Sequence, residues 1–130
     1  MPNGFHGSKN EWERMEAPLL RIDHVLESFA SSHELQLRRN YHNWPERSLM
    51  WNSSGVKKLI QIFLHDEQKL TFTVWICASE DRGAGRFWKQ TKLRDAIALE
   101  EISAELGGLL CECKAILDGW KEADLEPVGR

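Results

Sequence analysis

Tyr41, His42 and Trp44 stand almost side by side, with Asn43 between them and Glu46 and Arg47 directly after. An imidazole that titrates near neutrality, a carboxylate and a guanidinium beside two aromatic rings form a set suited to holding a small polar ligand or assisting a proton transfer. His65 joins this set if the chain meanders, because the turn after it then falls at the same end of a sheet as residues 42 to 46. The plainer reading of the same residues is a surface turn. A second candidate is Arg82, Gly83, Gly85 and Arg86, where two guanidinium groups flank flexible backbone amides in a weak anion-binding pattern. It lacks the glycine–lysine–serine ending of a phosphate loop. His24 and His33 have no histidine or carboxylate partner at ligand spacing, so neither a metal nor a cofactor is expected. Cys77, Cys111 and Cys113 are an odd number and match no zinc pattern, which points to unpaired thiols in a reducing compartment. Cys111 and Cys113 lie two apart on a predicted helix and therefore face opposite ways. A nucleophile, base and oxyanion-donor set is not evident, and the reading leans away from an enzyme.

The elements that must position these residues are organised around residues 56 to 79. There Ile60, Ile62, Leu64, Phe72, Val74, Ile76 and Ala78 recur at every second place, which is a strand period. Asp66 to Lys69 turn the chain. For the even-numbered sets to share a face the paired positions must sum to an even number, so a loop of three or five residues is expected. Upstream, Ser8 and Glu11 form a capping box, and Trp12, Met15, Leu19, Ile22, Leu26 and Phe29 make one amphipathic helix stripe, kinked or divided at Pro18 and ending near Ser31. Residues 34 to 41 and 47 to 52 read as strands, and Asn52 to Gly55 as a hairpin turn in which Gly55 takes the left-handed position of a three-residue loop and Asn52 pairs with Val56. Residues 87 to 93 read as a fifth strand or a helical start. Asp95 is the expected N-cap of a long final helix through Trp120, with Gly107 and Gly108 bending it or admitting a close neighbour. Residues 1 to 7 read as an N-terminal arm and 121 to 130 as an acidic tail.

The fold class expected is α+β: a two-layer sandwich with an N-terminal helix, an antiparallel meander of four or five strands and a long C-terminal helix, in a single domain over residues 1 to 130. With 42% hydrophobic and 28% charged residues the composition is that of an ordinary globular domain and indicates neither disorder nor a membrane span. The start lacks a secretory signal pattern, so the cytoplasm is the expected compartment. Residues 34 to 94 carry eleven basic and six acidic side chains and residues 95 to 130 three and nine, a basic sheet against an acidic final helix.

Two helices cover one face of such a sheet. The other is expected to expose Leu49, Trp51, Leu59, Phe63 and Trp75, a patch best closed by a second copy of the chain. Its plain alternative is cover by the chain's own N-terminal arm or a helix. Three functional classes follow. The favoured one is a non-enzymatic binding or interaction protein, dimeric through that face, with an unidentified protein or small ligand as further partner. The second is a small enzyme or small-molecule binder using the His42 loop. The third is a single-stranded nucleic-acid binder stacking bases on Phe63 and Trp75 beside Lys57 and Arg38 or Arg39, against which the net charge of −3 argues.

Overall fold

The structure, a computed structural model, describes residues 9–41, 44–53, 55–66, 71–83 and 85–128, and the side chains of all of these but 65 and 66. Helices α1 (Lys9–Leu20) and α2 (Asp23–His33) lead into strands β1 (Gln36–Tyr41), β2 (Trp44–Ser53), β3 (Val56–Asp66), β4 (Thr71–Arg82) and β5 (Gly85–Ala98). Helix α3 (Leu99–Asp118) follows, then a 3-10 turn (Glu122–Asp124) and the two-residue β6 (Glu126–Pro127). The strands lie in chain order in one antiparallel sheet, with the helices against one side of it: an α+β two-layer sandwich.

The apolar stripe of the first thirty residues is carried by two helices. Pro18 has no N–H to give the Arg14 carbonyl. The helix ends two residues later, Ile22 N–H donates to Leu19 O at 3.1 Å, and α2 begins at Asp23. It ends at His33, where Glu34 turns left-handed at φ 56 and its N–H returns to Ala30 O. The Ser8 end of the capping box and the arm lie outside the described residues.

In the central hairpin Ile60 faces Ile76, Ile62 faces Val74 and Leu64 faces Phe72, the even-sum register expected. A bulge after Leu64 then sets Asp66 opposite Thr71, so four residues rather than three or five intervene, and these, 67 to 70, lie outside the described residues. Val56, Ile60, Ile62, Phe72, Val74, Ile76 and Ala78 are all at most 1% exposed. They meet Leu19 and Leu26 from the first helices, and Ile102, Leu106, Leu110, Cys113 and Leu117 from α3, in one core.

The preceding hairpin corrects the expected register. Ser53, not Asn52, faces Val56, and Gly55 at φ 75 belongs to a two-residue turn. A shift of one residue reverses every side chain of a strand. Leu49 therefore lies under the helices at 1% exposed, and Trp51 donates its indole N–H to Asp118 of α3 at 2.9 Å.

The second half decides one open choice and changes three expectations. Residues 87 to 93 are strand, and the strand continues to Ala98, helped by bulges opposite Val74 and a left-handed Ala96 at φ 54. Asp95 is thus no helix cap: its carboxylate accepts from Thr73 Oγ1 at 2.9 Å and from Lys92 at 3.1 Å, and Ile97 is a strand residue. Gly107 and Gly108 lie within an unbroken α3, and a Cβ on either would meet nothing within 4 Å. The acidic tail is built in: Leu125 is buried, and β6 pairs Pro127 with Phe87 and Glu126 with Trp88 along the edge of β5.

Candidate functional site

A left-handed asparagine decides where the aromatic end of β1 points. Strict alternation would turn Asn40 away from the helices and Tyr41 toward them. Instead the pairing with β2 shifts between Arg39 and Tyr41, and Asn40 sits at φ 70, a conformation asparagine tolerates better than most residues. Asn40 consequently reaches the helix side, accepting from Arg47 at 3.1 Å and donating to Glu16 at 3.4 Å. Tyr41 swings to the open face, where the Arg38 guanidinium lies 4.1 Å from its ring centre. Trp44 is its cross-strand neighbour, and both rings are more than two-fifths exposed.

The open face is concave. Tyr41 and Arg38 on β1 line the same cleft as Arg86, Trp88 and Gln90 on β5, although a flat sheet would hold those strands about 19 Å apart. The sheet must therefore coil toward its open side, as right-handed twist permits. The depth shows on β2, whose open-face residues Glu46, Ser48 and Met50 are all buried although the described helices pack on the opposite side. The cleft encloses about 240 Å³, with Met50, Leu59, Cys77 and Ser79 at its floor and Lys57 and Gln61 on β3 completing it. Its cations are held from behind. Arg38 donates to Glu46 and Ser48, both at 3.2 Å, and Arg86 pairs with Asp81 at 3.0 Å. The Asp81 hydrogen bond and charge raise the Arg86 pKa, with a smaller contribution from Tyr41 across the cleft. Burial pushes the Cys77 thiol pKa up, and nearby Arg86 and Lys57 only partly offset it, which favours the neutral thiol.

Beyond the cleft the same face carries Phe63 and Trp75, half-buried, with the Lys92 ammonium 5.7 Å from the Trp75 ring centre. Of the five residues expected there, Leu59, Phe63 and Trp75 are present, while Leu49 and Trp51 belong to the covered side for the register reason given above.

The structure separates the other expected groupings. Arg47 does not join Tyr41: its side chain is fully enclosed on the helix side, with Nε donating to Asp23 at 2.6 Å, Nη2 to Asp23 at 3.1 Å and to Glu16 at 3.4 Å. His42 and the side chain of His65 lie outside the described residues. Arg82 and Arg86 leave opposite faces of the β4–β5 hairpin. Arg82 stacks on Phe87 at 4.1 Å and donates to Glu80 and to the Glu122 carbonyl, so the two guanidinium groups do not form one anion site.

Lys58 was not singled out by the sequence, yet it is the other enclosed cation. Its ammonium reaches past the core to donate to the Leu117 and Trp120 carbonyls at the end of α3. The negative end of the helix dipole offsets part of the cost of burying it. The signal was available: Lys58 breaks an apolar phase running Val56, Ile60, Ile62. The cleft residues Met50, Cys77, Ser79, Trp88 and Gln90 were also not assembled into a site, because strand order alone does not reveal that β1 and β5 approach one another.

No protein-family model matches the chain, and no curated protein or solved structure is significantly similar to it. Among the described residues no group of three or more His, Cys, Asp or Glu side chains is placed to hold a metal ion, and no helix is long and apolar enough to cross a membrane.

Proposed function

We propose that the chain is a non-enzymatic cytoplasmic binding or interaction protein whose working surface is the open sheet face, closed by a second copy of itself. The carrying observation is the asymmetry of the sheet. The three helices among the described residues pack on one side, and the other side presents Leu59, Phe63 and Trp75 half-buried with Tyr41 and Trp88 more open. Two features favour a second copy as the occupant. The rim bears both signs, Arg38, Lys57, Arg86 and Lys92 against Asp81 and Asp95, so a two-fold arrangement can set unlike charges opposite one another. Edge pairing is blunted on the β5 side, where the short β6 ends in Pro127. The face remains.

Sedimentation velocity on Trp75→Lys tests this. The new charge sits on the face and not in the core, so circular dichroism should be unchanged while association weakens at least about tenfold, the cost of burying an unmatched charge. Unaltered association in a folded variant would move the interface elsewhere.

The small-ligand reading gains from the cleft, at a different place from the His42 loop alone. The base-stacking reading gains less: Phe63 and Trp75 lie beside Lys92, which pairs with Asp95, and the chain's net charge is −3.

A further inference from the structure

We propose that the concave end of the open face is a binding site for a small organic anion, a carboxylate or phosphate head on a single planar ring. This rests on the open face being the working surface, though not on a second copy closing it. Arg38, Lys57 and Arg86 bring three cations to the cleft, and no carboxylate among the described residues lines it, Glu46 and Asp81 holding two of the cations from behind, in a chain whose net charge is −3. These cations can engage a ligand. Lys57 is exposed and pairs with no carboxylate among the described residues. Arg86 spends one donor on an ion pair whose two side chains are 63% and 76% exposed, a weak bond that leaves the rest of the fork free. Arg38 holds both Glu46 and Ser48 through Nη2.

The remainder of the lining selects the body of the ligand. Tyr41, with the Arg38 guanidinium stacked on its ring, and Trp88 line the cleft from β1 and β5, and the Met50 and Leu59 side chains make an apolar floor. A cavity of about 150 Å³ holds one benzene ring. A cleft of about 240 Å³ therefore takes a ring with its head group and little more.

The test is a titration of nitrogen-15-labelled protein with benzoate, phenyl phosphate and benzyl alcohol, following the indole N–H signals of the six tryptophans. Either anion should shift the Trp88 signal saturably while those of Trp12 and Trp51 stay in place, and whichever binds more tightly identifies the head. Benzyl alcohol should bind about tenfold more weakly, the worth of one charge-assisted hydrogen bond. Lys57→Met and Arg86→Met should each lower anion affinity by a similar factor, and Lys92→Met, on the same face outside the cleft, by less than about twofold. Equal binding of benzyl alcohol, unchanged affinity in both cleft variants, or no saturable Trp88 shift would overturn the proposal. The comparison of ligands needs no variant to fold. Light scattering on the same sample separates the two ideas: a monomer that shifts Trp88 removes only the second copy, and absence of a saturable shift, at either mass, removes the anion site.

Discussion

Arg47 and Lys58 stand back to back in the economy of this sheet: both are long cations on the helix side, both almost wholly enclosed, and each binds a different helical element to the strands. Arg47 holds Asp23 of α2 and Glu16 of α1, so it fixes where the broken first helix rests. Removing one partner of a buried pair strands the other charge, whereas removing both does not. Asp23→Ala is therefore expected to lower unfolding free energy by about 3 kcal/mol, and Asp23→Leu with Arg47→Met by distinctly less, as read by urea denaturation. Lys58 makes a pH prediction. Burial lowers its pKa from 10.5, with Asp118 and Asp124 acting against that shift. A lysine depressed in the folded state penalises folding while it is charged, and the penalty fades as pH rises toward the unfolded value. Wild-type stability should accordingly rise relative to Lys58→Met as pH approaches 10.5; the opposite slope would contradict the assignment. These two residues also show what was legible. Lys58 sat in an apolar phase that could be read directly, but Arg47, at the start of an expected strand, was grouped with Tyr41 and His42 because its face depends on a pairing register that a single turn residue decides.

At the scale of elements, α3 is notable for glycines that serve no packing. Gly107 and Gly108 face open space in the middle of a twenty-residue helix. Alanine at either position should raise stability by about 0.5 to 1 kcal/mol, since each gains helix propensity and meets no obstacle. A loss of stability would show that a neighbour approaches there after all. The other end of the same helix is fastened by Trp51 and Lys114 on Asp118. Burial alone would raise that carboxyl, but the hydrogen bonds from Lys114 and Trp51 outweigh it and hold the pKa below 3.8. The alternation of residues 56 to 79 and the helix stripes were legible because each repeats over many positions. The β5–α3 boundary was not, since Asp95 has the chemistry of a cap and nothing local records that bulges carry the strand three residues further. The tail was misread for a similar reason: acidic composition hid Leu125, whose burial depends on the edge of β5 being close.

The whole molecule is a sheet with unequal sides. Its even-numbered central positions are sealed by helices, and its odd-numbered ones form a coiled, aromatic and partly basic surface with a cleft at one end. That two faces existed followed from the sequence, as did three of the residues on the open one. The concavity did not, because it arises from the accumulated twist of five strands together with the bulge that turns Tyr41 outward. Covering this surface is the central claim. Light scattering after size-exclusion chromatography of the full chain at micromolar concentration tests it most directly. The account predicts twice the chain mass of 15.1 kDa, whereas a stable species at 15.1 kDa would contradict it.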